Sequence, residues 1–159
     1  MKVVLPSFWL SCAIIFLAWI AKLQFVPGGD ILFRFGSTGA TLALVAQLLL
    51  LPRHEAVRTS GMAGLFLVNT SALALLYAGM MLKVAHVLDT QLQKDLVLDL
   101  LGIPVLLAAL TYSFGQSAKV LASDREAKVL LMRHVLYPWT VFVFSYLFYV
   151  VYSVVLARA

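Results

Sequence analysis

The sequence predicts an all-α integral membrane helical bundle of about five transmembrane helices, read as two repeated hairpins plus one further span. Three observations carry that prediction. The apolar fraction of 63% exceeds the roughly 45–50% of soluble domains, and the mean hydropathy is +0.99. Charged residues make up only 12% of the chain, too few to coat a water-soluble surface. The apolar residues also fall into long runs separated by short polar turns, and 159 residues leave room for about five spans of roughly twenty residues. The whole chain 1–159 is therefore expected to be one transmembrane domain.

The runs occupy about 5–26, 31–51, 62–88, 96–115 and 138–157. Each is assigned as helix, because an open strand edge leaves backbone groups unpaired in lipid. The first ends at Pro27-Gly28-Gly29-Asp30, a tight turn, and the second at Pro52-Arg53-His54-Glu55. The first run starts from Lys2 and lacks a small-x-small cleavage site, so it is expected to be an uncleaved anchor. The third and fourth runs are separated by the polar segment Asp89–Asp95, and the fourth and fifth by 116–137. Within that last connection Ser123-x-x-Glu126 has the form of a capping box and predicts a helix start near Asp124. The segment 124–136 then carries its apolar residues mainly on one side. It is read either as an amphipathic helix along the membrane surface or as an extension of the last span.

Lysines and arginines set the orientation. Lys2, Arg53, Arg58, Lys119, Arg125, Lys128 and Arg133 fall on one side, against Lys22, Arg34, Lys83, Lys94 and Arg158 on the other. The excess predicts a cytoplasmic N-terminus and a periplasmic C-terminus in a bacterial inner membrane. The net charge of +5 is thus spent on topology, and no nucleic-acid partner is expected. The one cysteine, Cys12, excludes an internal disulfide and is expected to be a packing residue.

An internal duplication is legible. Ala18-Trp19-Ile20-Ala21-Lys22 can be laid on the segment ending at Lys83, and Gly36 and Gly102 then take similar places in the following helices.

The candidate functional residues form two groups. Lys22, Asp30 and Arg34 gather at the first turn, and Lys83, His86 and Asp99 flank the 89–95 segment. A lysine at a span end is costly without a partner. Asp30 is the nearest counter-charge to Lys22, and Asp99 mirrors Lys83. The first set is read as an interfacial ion cluster or as a receiver of an anion or acidic partner, and Lys83 with Asp99 as a structural salt bridge or an ion or proton relay. The second group is the aromatic last span, where Tyr146, Tyr149 and Tyr152 offer a partner or lipid contact, or one wall of a quinone cleft.

His54, His86 and His134 have no metal-ligand spacing, and no carboxylate falls at mid-membrane. No metal, haem or other cofactor is expected. Asn69, Thr70, Ser71, Ser37, Thr38, Thr41 and Gln47 are available for interhelical hydrogen bonds, with Gly36-x-x-x-Ala40, Gly61 and Gly64 for close packing.

Lys22-Leu-Gln-Phe-Val-Pro27-Gly28-Gly29-Asp30-Ile31-Leu32, followed by Gly36, resembles the membrane hairpin of the gliding-motility protein L family. Lys83-Val-Ala-His86 with Gly102 is similar to a second, degenerate copy. The resemblance implies a hairpin fold and a bacterial inner-membrane setting. The glutamate that motor members pair with the lysine falls here at about Ala40 and Leu106. A weaker similarity is to small four-helix DoxX-type membrane proteins.

Together these readings lead to a non-enzymatic, multi-pass subunit of a larger membrane complex, partnered by lipid and by other membrane proteins. An ion or small-molecule transporter, and a quinone- or lipid-binding redox-associated protein, are the alternatives.

Overall fold

The computed structural model describes residues 4–84 and 102–156. Helix α1 spans Val4–Leu23, with Pro6 in its first turn, where a missing N–H costs nothing. It closes on a Schellman motif. Phe25 N–H donates to the Lys22 carbonyl at 3.1 Å, and Val26 N–H donates to the Ala21 carbonyl at 2.8 Å. Phe25 itself takes the left-handed conformation, φ 55°, a position usually filled by glycine. Gly28 follows at φ 93°, and α2 runs Gly29–Leu50 with Asp30 in its first turn, complementing the helix dipole.

A 3-10 turn, Leu51–Arg53, and a short helix α3, Glu55–Thr59, lead through left-handed Gly61 (φ 66°) into α4, Ala63–Val84. Helix α5, Gly102–Gly115, opens with Pro104 in its first turn. After α6, Ser117–Ala122, and α7, Arg125–Leu131, comes a π-helical stretch, Met132–Leu136, and then α8, Tyr137–Leu156. Pro138 lies just inside α8, and widening the preceding turn makes room for its ring.

Four helical segments are long and apolar enough to cross a membrane: Val4–Leu23, Gly29–Arg53, Ala63–Leu82 and Arg125–Tyr152. The described part of the predicted fourth span, α5, has 14 residues, about 21 Å at 1.5 Å per residue. Helix α1 is antiparallel to α2, and α2 to α4. Helix α5 runs back along α4, with Gly102 against Leu76 at one end and Tyr112 against Gly64 at the other.

Helices α1, α2, α4 and α8 form a ring in that order, and α5 lies outside it on α4. Phe8, Tyr77 and Phe142 fill the centre, their rings 6.1 and 5.3 Å apart edge to face. A second cluster of Leu51, Val57, Met62, Phe66 and Val135 closes the end that carries α3 and α7.

The α1–α2 seam is the tightest. A Cβ on Gly36 would lie 2.8 Å from Ile15 Cγ1 and 3.0 Å from both Ile15 N and the Ser11 carbonyl. Ala40 and Ala43 continue the same buried face. Small residues let helix backbones meet in lipid, where dispersion and not hydrophobicity drives association.

One local expectation is corrected. The Ser123–Glu126 capping box does not form. Ser123 Oγ donates to the Val120 carbonyl at 2.7 Å, and Asp124 is the residue before α7. Ser123 is thereby turned to the end of α6 and caps nothing in α7, while the helix itself starts near Asp124 as expected. The segment 124–136 continues unbroken into α8, so it takes the form of an extension of the last span.

Candidate functional site

The two groups of residues that the sequence leaves separate meet in one place. Lys22, in the last turn of α1, pairs through Nζ with Asp30 Oδ1, in the first turn of α2. Gly29 makes this possible, because a Cβ there would lie 3.0 Å from Lys22 Cγ. The lysine side chain is only 4% exposed, whereas Asp30 is 51% exposed. The ammonium is therefore held inside the bundle end and the carboxylate bridges it to the outside.

Helix α8 supplies the roof. Lys22 Nζ lies 5.2 Å from the centroid of the Tyr152 ring, a cation–π contact. Trp19, one turn before the lysine, packs on Phe33 at 5.1 Å, on Tyr152 at 6.0 Å and on Tyr149 at 6.3 Å. Tyr146 adjoins Tyr149 at 6.0 Å. The tyrosine stripe is half-buried and packs on α1. Among the residues α8 turns outward are Val143, Phe144, Leu147, Val150, Val151 and Val154. Arg34, one turn beyond Asp30, is exposed.

The site joins α1, α2 and α8 by one charge pair and one aromatic cluster. Its chemistry is that of a fixed, desolvated cation and a half-exposed anion. Of the second predicted set, Lys83 lies in the last turn of α4, and His86 and Asp99 lie outside the described residues.

Two further polar contacts were only partly visible in sequence. Asn69, 4% exposed, is a hub between three helices. Its Nδ2 donates to Ser113 Oγ on α5 at 2.8 Å and to its own Leu65 carbonyl at 2.9 Å, and its Oδ1 accepts from Trp139 Nε1 on α8 at 2.9 Å. Sequence marked Asn69 as available for bonding, yet nothing local pointed to Trp139 or Ser113.

At the α3 end, His134 Nδ1 lies 3.2 Å from Gln47 Oε1, both residues buried. The other predicted hydrogen-bonding residues divide. Thr38 Oγ1 donates to Met81 Sδ on α4 at 3.3 Å, while Thr41 and Ser71 turn back to carbonyls of their own helices. Ser37 and Thr70 hydroxyls are buried without a partner among the described residues.

Cys12 is a buried free thiol. Two open hollows, about 300 and about 400 Å³, lie at the α3 end and share Thr59 and Asp124. Among the described residues no group of three His, Cys, Asp or Glu side chains converges to hold a metal ion. No protein-family model, curated protein or solved structure matches the chain.

Proposed function

We propose that the chain is a non-enzymatic, multi-pass subunit of a larger assembly in the bacterial inner membrane. It crosses five times, with a cytoplasmic N-terminus and a periplasmic C-terminus, and its partners are lipid and other membrane proteins. The observation that carries this reading is the junction of Lys22, Asp30 and Tyr152. The cation that a transport pathway would place at its mouth is almost wholly buried and spent on fastening three helices. The tyrosines that a quinone cleft would present are packed on Trp19. The buried alanine at position 40, where the motor family resembled by this hairpin has its glutamate, also favours a scaffold over a proton-driven motor.

The test is purification in mild detergent together with reconstitution. A discrete complex well above the 17.5 kDa chain, with partner chains in fixed ratio, is the expected result. Vesicles holding the purified chain should show no ion or proton flux above empty vesicles, before or after Lys22→Met. Flux that disappears on Lys22→Met would replace this reading by transport.

A further inference from the structure

The outward side of the last helix is longer than a bilayer's hydrocarbon. From α7 through the π-helical stretch into α8 one stripe stays exposed, in steps of three or four residues. It begins with Arg125, Val129, Met132, Arg133, Leu136 and Tyr137 and continues from Val143 to Val154. From end to end it measures about 45 Å at 1.5 Å per residue, against roughly 30 Å of hydrocarbon. The Lys22–Asp30 pair at Tyr152 marks one edge of that hydrocarbon. About twenty residues back along the helix, at about 30 Å, lie Met132 and Arg133. The other edge therefore falls at Arg133. The remaining part of the stripe, about 12 Å from Arg133 to Arg125, lies among lipid headgroups.

Charges are sorted about this stretch. Asp124 and Glu126 line the larger hollow beside α3 together with Glu55. Arg125 and Arg133 line neither hollow and stand on the lipid-facing stripe. Among the described residues neither arginine has an ion pair or a side-chain hydrogen bond. Arg133 has apolar Val129 one turn before it and Leu136 almost one turn after it. A guanidinium in that setting keeps its charge and its five donors, and the headgroup group that matches its fork is phosphate. Tyr137, one turn inside Arg133, is 45% exposed, and its ring lies 6.5 Å from that of Trp9. It occupies the level at which tyrosines hold an apolar ring in lipid and a hydroxyl at the headgroups.

We propose that Arg125 and Arg133, with Tyr137 beneath them, hold the headgroup phosphate of an anionic phospholipid in the leaflet on the α3 side. Arg133 takes the phosphate, and the acyl chains descend over Leu136 and Val143. Arg125, about two turns further out, supplies the second positive charge. It repels the ammonium of a zwitterionic headgroup and so favours an anionic one. This inference deepens the membrane part of the proposed function and rests on it, since α8 must cross the bilayer whether or not partner chains exist.

The experiment reconstitutes the full chain in phosphatidylcholine vesicles that carry a minor share of one brominated lipid, phosphatidylcholine or phosphatidylglycerol. Bromine quenches tryptophan at close range, and Trp9 and Trp139 report this end of the bundle through Tyr137 and Asn69. The expected result is stronger quenching by brominated phosphatidylglycerol, unchanged when inorganic phosphate is added at constant ionic strength. Arg125→Gln with Arg133→Gln should abolish that preference. Arg53→Gln with Arg58→Gln, which removes two exposed charges from the same end, should retain it. Equal quenching of the parent chain by the two lipids overturns the inference and leaves the membrane reading standing. A preference lost equally in both double variants also overturns it, because the attraction then belongs to the whole charged surface. So does a preference that inorganic phosphate removes, which would make the site one for a free anion. Tryptophans quenched by neither lipid would remove the inference and the membrane reading together.

Discussion

Gly36→Ala is the sharpest test of the packing. The new methyl group would stand 2.8 Å from Ile15 Cγ1 and 3.0 Å from two backbone atoms of α1, Ile15 N and the Ser11 carbonyl oxygen. The isoleucine tip can swing aside, but the backbone atoms cannot. The hairpin must therefore open by about half an ångström, and overpacking of this kind costs about 1–3 kcal/mol. Alanine recovers up to about 1 kcal/mol of helix propensity. The expected net loss is about 0–2 kcal/mol, up to a factor of roughly 30 in the folded-to-unfolded ratio.

Two other glycines supply the comparison. At Gly102 the nearest atom is the flexible tip of Leu76, 3.3 Å away, and at Gly115 nothing lies within 4 Å. Alanine at either should be neutral or mildly stabilising. Reversible unfolding in mixed detergent micelles, followed by the fluorescence of buried Trp19, ranks the three variants. Gly36→Ala at or above the stability of Gly115→Ala would show that α1 and α2 do not meet at this seam.

Asp30→Asn should destabilise the bundle more than Lys22→Met in the same unfolding assay. The first leaves an almost fully buried ammonium without its carboxylate, while the second replaces the pair's buried member by an apolar chain; the reverse order would place the lysine in water. Asn69→Leu should cost about 1–2 kcal/mol. In a double-mutant cycle with Trp139→Phe the two losses should fall short of additive, because both remove the same 2.9 Å bond. Phe25→Asn should leave stability unchanged or raise it by up to about 1 kcal/mol. The side chain is mostly exposed, and asparagine tolerates the left-handed backbone that phenylalanine strains. A clear loss on this substitution would mean that the Phe25 ring packs on something.

Much of the fold was legible because the membrane is a simple solvent. Long apolar runs broken by Pro27-Gly28 and Pro52 located the helices to within a few residues, and Lys22 and Asp30 were matched because a tight hairpin leaves no other geometry. What the sequence concealed was which helices touch. In water an amphipathic stripe reveals the buried face. In lipid both faces are apolar, so Tyr152, on the last helix, carried no sign that it covers Lys22 near the first turn. The bonds of Asn69 to Trp139 and of Gln47 to His134 were hidden for the same reason. The capping box misled because Ser123 was within reach of two helix ends, and the preceding one took it.

The π-helical stretch Met132–Leu136 fits one more residue into its turn than an α-helix would. That surplus is absorbed within the one turn, so removing a single residue there would wind the stretch back to regular α-helix and leave α8 facing much as before. The regular helix beyond it has no such slack. One residue removed between Tyr137 and Ser145 would turn everything that follows by about 100°, and Tyr149 and Tyr152 would swing away from Trp19 toward the acyl chains. The grip on Lys22, at the far end of the bundle, thus tolerates a change of length beside His134 and nowhere else along α8.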